Sequence, residues 1–194
     1  MCGGRGTRLD ADVEKPLFEV DGRPMVDYVR DALAGSRIDT AYAVVSPHAP
    51  DTHAHVAGDL PVVETAGDGY VADLLAALDT VDTPVLTVAA DVPLLAADIV
   101  DDVVAAAEGS TSVRVPRALK ELLGAGTDEG DSDAWVPTGV NVVGDDEDDV
   151  YRSYDARLAV NVNRRADAAI AERLLDARTT AALGDDHVEG DDGP

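Results

Sequence analysis

The chain has 194 residues, enough to bury one substantial core, and its hydrophobic share of 45% is that of a folded protein. Its 39 acidic and 15 basic residues give a formal net charge of -24. The sequence shows no basic stripe of the kind that binds nucleic acid and no apolar run long enough to span a bilayer. Its single cysteine excludes an internal disulfide.

The acidic residues are spread along the whole chain, and only Lys15 and Lys120 are lysines. This pattern predicts a halophilic surface, on which very high salt screens the mutual repulsion of the carboxylates. The acidic stretches DEGDSD and GDDEDD do not have the spacing of a calcium-binding loop. Because the amino terminus lacks a signal-peptide pattern, we expect a cytoplasmic protein.

Strand and helix patterns alternate in the first half of the chain. Apolar residues at helical spacing predict a first helix over PMVDYVRDALAG, between Pro24 and Gly35. A short buried strand, a short helix and a second strand are predicted next, followed by a longer helix. These four segments are TAYAVVS (40–46), PDTHAHVAG (50–58), LPVVET (60–65) and YVADLLAALDTV (70–81).

The alternation continues with TPVLTVAAD (83–91), a continuous apolar run that suits a central parallel strand. The remaining predicted elements are a helix, three strands and a final helix: AADIVDDVVAAAEG (96–109), TSVRVP (111–116), TGVNVVG (138–144), RLAVNVN (157–163) and RRADAAIAERLLDA (164–177). The order predicts an α/β fold, with a single-domain, doubly wound and mainly parallel sheet over residues 1–183. We expect residues 184–194 to form an acidic, disordered tail.

The glycine-rich run GGRGTR is the first candidate for a binding site. Gly3, Gly4 and Gly6 would let backbone N–H groups turn toward an anion, and Arg5 and Arg8 add positive charge in a chain that otherwise avoids it. Amide groups and guanidinium forks both match phosphate oxygens, so a polyphosphate is the expected ligand. The run matches neither the P-loop nor the full dinucleotide fingerprint, and a flexible terminus is the alternative reading.

Asp91 is the second candidate, because it ends the most apolar predicted strand and Pro93 blocks continuation of that strand. Ligands of open α/β sheets gather at the carboxyl ends of strands. A carboxylate at this place is well positioned to hold magnesium, which usually takes one or two carboxylates together with substrate phosphates and water.

Six motifs together carry a resemblance: GGRGTRL followed by EKPLFEVDGRPMVDYV, then ETAGDGYVADL, VAADVPLL, VPTGVNVV and NVNRRADA. This set resembles the MobA-like nucleotidyltransferase superfamily, which includes sugar-phosphate and molybdenum-cofactor guanylyltransferases. Within it, the archaeal adenosylcobinamide-phosphate guanylyltransferases of cobalamin biosynthesis are the most similar group. The resemblance covers residues 2 to about 175 and implies a Rossmann-like fold.

The resemblance also implies roles for individual residues. A loop around the GTP phosphates would consist of Gly3, Gly4, Arg5, Gly6, Thr7 and Arg8, with Lys15 reaching the same phosphates. Asp91 would bind Mg²⁺ or Mn²⁺, and Asn161 or Asn163 would be a second oxygen ligand or a polar contact. The nucleotide or the acceptor would lie close to Gly139 and Asn141, and a ligand-facing loop would contain Asp68, Gly69 and Tyr70. Arg8, Lys15 and Asp91 would be the catalytic residues.

The implied reaction moves GMP from GTP to adenosylcobinamide phosphate and releases pyrophosphate. The attacking phosphate is already an anion, so phosphate ligands are needed and a strong general base is not. The sequence leaves two alternatives open: a related transferase acting on molybdopterin or a sugar phosphate, and a noncatalytic GTP-binding module. The sequence also leaves the oligomeric state open, with a homodimer as one arrangement.

In the superfamily that the chain resembles, the glycine-rich loop follows a buried first strand, and this chain has no residues for that strand before Gly3. Either the start was assigned a few residues too late, or this form lacks the strand. Loss of a central strand would expose the hydrogen-bonding edges of its two neighbours. We therefore expect the sheet to be incomplete next to the loop.

Overall fold

The computed structural model describes residues 1–2, 9, 12–126, 133–144 and 148–185, with side chains up to residue 177. A 3₁₀-helix at Lys15–Leu17 precedes the first regular elements, and a second one lies at Ala156–Ala159. The strands are β1 Glu19–Val20, β2 Arg23–Pro24, β3 Ala43–Val45, β4 Val62–Glu64, β5 Val85–Val88, β6 Ser110–Pro116, β7 Trp135–Val143 and β8 Asp148–Arg152. The helices are α1 Met25–Ala34, α2 Pro50–Val56, α3 Tyr70–Leu78, α4 Ala97–Ala106, α5 Arg117–Leu123 and α6 Arg165–Asp185.

The strand order confirms the predicted α/β class. Strands β5, β7, β6 and β8 form one sheet in that order, and β3 pairs with β4 in parallel. Strand β7 runs antiparallel to both of its neighbours, whereas β6 and β8 are parallel to each other. Among the described strands, β7 and the small hairpin β1–β2 are therefore the antiparallel exceptions. The other strands pair or run parallel, as expected of the fold.

The main core lies between the four-stranded sheet and helices α1 and α4. Both helices present one apolar face at helical spacing, which on α4 consists of Ile99, Val100 and Val103. The sheet contributes alternate valines, as expected when one face of a strand is buried. These valines are Val88, Val113, Val115, Val136, Val140 and Val142.

One predicted strand was wrong. The segment RLAVNVN forms the 3₁₀-helix Ala156–Ala159 followed by residues without regular structure. The Asp155 carboxylate accepts a hydrogen bond from the Arg157 N–H at 2.8 Å and caps the start of this turn. Because Leu158, Ala159 and Val160 are all buried, burial here does not alternate as it would in a half-buried strand.

Met1 and Cys2 occupy the space between β3 and β5. The Met1 ammonium donates to the Val88 carbonyl at 2.9 Å, the Met1 carbonyl accepts from the Ala90 N–H at 3.3 Å, and the Cys2 N–H donates to the Val44 carbonyl at 2.9 Å. This is the pattern of a strand that runs parallel to β5, with Met1 opposite residue 89. The two residues therefore pair with the carboxyl ends of both neighbouring strands.

A cavity of about 710 Å³ lies behind Met1, where the rest of such a strand would run. Strands β3 and β5 border it, and apolar side chains of α1 and α3 line it, including Val29 and Leu74. The predicted gap in the sheet is therefore present among the described residues, and it is as long as β5. Among these residues, no helix is both long and apolar enough to cross a membrane.

We expect a variant that carries five β-branched apolar residues in front of Met1 to be more stable than the unextended chain. The added segment would pair with the open edges of β3 and β5 and fill the cavity, raising the free energy of unfolding by about 1–3 kcal/mol after the entropy of ordering is subtracted. Urea unfolding followed by circular dichroism measures the change. A Gly-Ser segment of equal length is the control, and equal stability of the two variants would contradict the expectation.

Candidate active site

The Asp91 carboxylate lies at the centre of the site, just beyond the carboxyl end of β5. The main-chain carbonyl of Asp91 accepts a hydrogen bond from the Val162 N–H at 2.9 Å, and this bond fixes the segment 161–163 next to Asp91. The side chain of Asp91 is 15% exposed. Three separate parts of the chain thus meet here, because β5 ends where the segment after the second 3₁₀-helix and the turn at Lys15 also arrive.

Lys15 lies between two oxygen atoms. Its Nζ donates to Asp91 Oδ2 at 2.5 Å and to Asn163 Oδ1 at 2.7 Å. A carboxylate oxygen and an amide oxygen thus converge on one cation, and these are ligand types that Mg²⁺ accepts. The described residues contain no group of three His, Cys, Asp or Glu side chains that could hold a metal. A metal at this point would therefore depend on substrate phosphates and water for its other ligands.

Glu14 anchors the turn that carries Lys15. Its carboxylate accepts from the backbone N–H of Asp51 at 3.0 Å and of Thr52 at 2.7 Å, at the start of α2. Burial opposes the charge, but the hydrogen bonds from Thr52 and Asp51 hold the pKa of Glu14 below its ordinary value. Glu14 and Lys15 therefore have different tasks, since the carboxylate holds the turn to α2 while the ammonium faces Asp91.

Asn161 and Asn163 are oriented differently. Asn161 Oδ1 accepts from Lys120 Nζ at 2.9 Å, while its Nδ2 donates to the Thr138 carbonyl at 2.8 Å and to Asp91 Oδ1 at 3.3 Å. The amide nitrogen of Asn161 thus faces Asp91, and its oxygen is committed to Lys120. In this arrangement Asn163 offers an oxygen to a cation, whereas Asn161 is a polar contact.

Sequence reasoning did not assign Lys120 or Asp167. Lys120 lies on α5 and is 5% exposed. The rarity of lysine in this chain could have indicated it, since Lys15 and Lys120 are the two lysines of the sequence and both lie at this site. Asp167 is 1% exposed, and its carboxylate accepts from the N–H groups of Asn163 at 3.0 Å, Arg164 at 2.9 Å and Gly126 at 2.9 Å. From the first turn of α6 it therefore reaches back to the two residues before the helix and holds Asn163 in place.

Gly139 lets β7 pass close to Asp91. Its φ is +81°, and a Cβ at this position would lie 3.0 Å from Ala89 Cβ and 3.1 Å from Asn161 Nδ2. The register between β6 and β7 shifts at this point, and the Gly139 carbonyl accepts from the Ala89 N–H at 2.8 Å. A side chain here would be strained by the backbone and would also displace Asn161.

Two cavities meet at Asp91. One of about 470 Å³ is lined by Lys15 and by the predicted ligand-facing loop, Asp68, Gly69 and Tyr70. The other, of about 500 Å³, lies on the Lys120 side. Its wall also includes Gly139, Asn141, Asn161 and Asn163.

The structure therefore brings most of the predicted site residues together. Lys15, Asp91, Gly139, Asn161 and Asn163 are in direct contact or close approach, and Asn141 and the loop at 68–70 line the adjoining cavities. The predicted phosphate-loop residues lie outside the described residues, and their role stays a prediction. They are Gly3, Gly4, Arg5, Gly6, Thr7 and Arg8.

A comparison with protein families matches residues 1–125 to the MobA-like NTP transferase domain. The chain belongs to this family. Members of the MobA-like family are nucleotidyltransferases, so the cluster of Lys15, Asp91 and Asn163 is the candidate active site of a nucleotidyltransferase.

Two relatives differ in how much of the chain they share. The adenosylcobinamide-phosphate guanylyltransferase of Methanocaldococcus jannaschii is 28% identical over 194 residues, covering 90% of this chain and 95% of that protein. The bifunctional protein GlmU of Cutibacterium acnes is 35% identical over 102 residues, which is 49% of this chain and 24% of that protein.

Solved structures confirm the fold of this MobA-like chain. CMP:2-keto-3-deoxy-manno-octonic acid synthetase in complex with CTP has a TM-score of 0.66 at 11% identity, covering 89% of this chain and 94% of that one. A nucleotidyl transferase from Methanothermobacter thermautotrophicus has a TM-score of 0.63 at 19% identity, covering 91% and 94%. At these identities the likeness concerns the fold alone.

The opposite orientations of the two asparagines predict different effects on metal binding. Asn163→Ala removes an oxygen that faces the cation position, and we expect it to weaken Mn²⁺ affinity in the presence of GTP by about tenfold or more. Asn161→Ala removes a polar contact, and we expect a smaller loss of affinity. Titration of Mn²⁺ followed by electron paramagnetic resonance measures both variants, and a larger loss in Asn161→Ala would show that the assignment is reversed.

Proposed function

We propose that the chain is a guanylyltransferase of cobalamin biosynthesis or salvage. It moves GMP from GTP to adenosylcobinamide phosphate and gives adenosylcobinamide-GDP and pyrophosphate. The observation that carries the proposal is the near full-length likeness to the Methanocaldococcus jannaschii guanylyltransferase, which extends beyond residue 125 into the part of the chain that supplies Asn161 and Asn163.

In this proposal the two substrates approach Asp91 from opposite sides. GTP lies in the cavity beside Lys15, with its phosphates directed to that ammonium and to the glycine-rich run at 3–8. The acceptor lies in the cavity beside Lys120. An oxygen of the acceptor phosphate attacks the α-phosphorus of GTP, and the bond from that phosphorus to the bridging oxygen breaks as pyrophosphate leaves.

The residues of the site supply positioning and charge. Lys15 donates to the phosphate oxygens that become pyrophosphate, and Asn161 holds Asp91 in its orientation through Nδ2. Asp91 Oδ2 and Asn163 Oδ1 are the protein ligands that would hold a divalent metal, Mg²⁺ or Mn²⁺. When bound, that metal neutralises charge on the phosphates. No side chain has to remove a proton, since the attacking phosphate is already ionised.

The direct test is pyrophosphate release from GTP and Mg²⁺, with and without adenosylcobinamide phosphate, measured from low to molar KCl because the chain carries a net charge of -24. We expect release to need the corrinoid and to be faster with GTP than with ATP. Molybdopterin and sugar phosphates are tested as acceptors in parallel. Release with one of these and none with the corrinoid would overturn the proposed acceptor.

Asp91→Asn should lower kcat/KM by about a hundredfold or more, because it removes the charge that holds the metal while keeping the shape of the side chain. Asp102→Asn is the matched control, since Asp102 is an exposed carboxylate on α4. GTP binding without pyrophosphate release, unchanged by Asp91→Asn, would point to a noncatalytic GTP-binding module.

A further inference from the structure

One face of β7 leads from the candidate active site to the single tryptophan of the chain. Residues of this strand alternate between the core and the opposite face, so that Trp135 lies on the same face as Pro137, Gly139 and Asn141, which line the cavity beside Lys120. A Cβ at Gly139 would lie 4.0 Å from Asp91 Oδ1. Trp135 pairs with Pro116 of β6 and Asn141 pairs with Ser112, so four residues of β6, or roughly 13 Å at the usual rise of a strand, separate Trp135 from Asn141.

Two arginines lie beside this part of β7. The sheet register places Arg114 of β6 opposite Pro137, and Arg152 of β8 opposite Arg114. Side chains at directly opposed positions of neighbouring strands project from the same face. Both guanidinium groups therefore lie on the face that carries Trp135, in a chain where only 15 residues are basic.

Trp135, Arg152 and Tyr154 form a cluster that we call the aromatic ledge. The rings of Trp135 and Tyr154 meet edge to face, with centroids 5.4 Å apart and an interplanar angle of 76°. The Arg152 guanidinium carbon lies 5.6 Å from the centroid of the Trp135 ring. Tyr154 is 75% exposed, so an aromatic surface remains open to a ligand.

Arg114 adds hydrogen-bond donors at the side of the ledge nearer to Asp91. Its Nη1 donates to the Trp135 carbonyl at 3.3 Å and lies 3.8 Å from a carboxylate oxygen of Asp133. Its Nε is buried and has no hydrogen-bond acceptor among the described residues. A buried donor without an acceptor costs free energy, so a small turn of this side chain toward an incoming carbonyl oxygen would be favourable.

We propose that the aromatic ledge binds the ring of the acceptor, a large, flat macrocycle with amide groups on its rim. The inference rests on the proposed function and adds where the acceptor is recognised. The apolar surface of the macrocycle packs on Tyr154 and the open part of Trp135, and the rim carbonyls accept from Arg114 and Arg152. The acceptor phosphate, on a chain that extends from the ring, reaches along β7 to Asp91.

The span along β7 explains why the acceptor should be large. A sugar phosphate with its phosphate at Asp91 would end before Trp135, and its hydroxyl groups would gain little from aromatic rings. A macrocycle with a pendant phosphate can contact both ends of the span at once. The ledge therefore determines specificity for the acceptor, while the residues around Asp91 act on the phosphates that react.

Two measurements on the full chain test the inference. The first is equilibrium dialysis with cobinamide that lacks the phosphate, detected by its absorbance, which reports on the ledge without chemistry. The second is steady-state pyrophosphate release with varied adenosylcobinamide phosphate. We expect Trp135→Ala to weaken cobinamide binding and raise KM for the corrinoid by about tenfold, with KM for GTP and kcat within about twofold.

Companion variants separate the role of the ledge from a loss of folding. Trp135→Phe should retain most of the corrinoid affinity that Trp135→Ala loses. Arg152→Ala should weaken the corrinoid affinity without changing KM for GTP. Leu122→Ala is the control, because Leu122 is an apolar side chain on α5 that is 83% exposed. It should leave both KM values unchanged.

The outcomes for the ledge and for the proposed function are distinguishable. Turnover of the corrinoid phosphate with unchanged KM in Trp135→Ala and Arg152→Ala would overturn the ledge and leave the guanylyltransferase function standing. In a second outcome, the unmodified chain binds cobinamide but shows no turnover, and Trp135→Ala weakens the binding. This result would support the ledge and overturn the reaction. Absence of both binding and turnover would overturn the two together.

Discussion

The contact between Lys15 and the two oxygens of Asp91 and Asn163 is the interaction on which the site depends. A carboxylate that is 15% exposed cannot be left without a cation or hydrogen-bond donors, because its desolvation would cost several kcal/mol. Lys15 contacts one oxygen of Asp91 and Asn161 the other, while the main chain of Asp91 binds Val162. One aspartate thus fixes three separate segments at the end of a central strand, and the same oxygens are those that a metal with phosphate ligands would use.

The surrounding residues act mainly by restricting these side chains. Lys120 fixes which end of the Asn161 amide faces Asp91, and Asp167 holds the backbone N–H groups of Asn163 and Arg164 through two of its three hydrogen bonds. Gly139 lets β7 approach without a side chain. The two lysines of a strongly acidic chain are therefore both at the site, one lining each cavity, and they add positive charge close to Asp91.

The sequence alone could predict the parts of this arrangement that depend on local pattern. Asp91 was identified because an acidic residue follows an apolar strand, and the helices α1, α3 and α4 follow from their apolar spacing. The roles of Lys15, Asn161 and Asn163 came from the family resemblance, since no local pattern links residues so far apart. Lys120 and Asp167 were missed because their importance lies in contacts across 41 residues. Strand β8 was missed because its acidic start reads as a loop, and α5 because it has only seven residues after a proline.

The cavity between β3 and β5 adjoins the parts of the chain that form the site. Met1 and Cys2 bind the carboxyl ends of both strands, and the glycine-rich run begins at the next residue of the chain. Asp91 comes three residues after the end of β5, so the edge of β5 that borders the cavity also influences the position of this carboxylate. Any occupant that pairs with β3 and β5 would therefore fix the start of the glycine-rich run and Asp91 relative to each other. Since in-line transfer depends on ångström-scale positioning, order in this part of the sheet should affect turnover more strongly than it affects the affinity for either substrate.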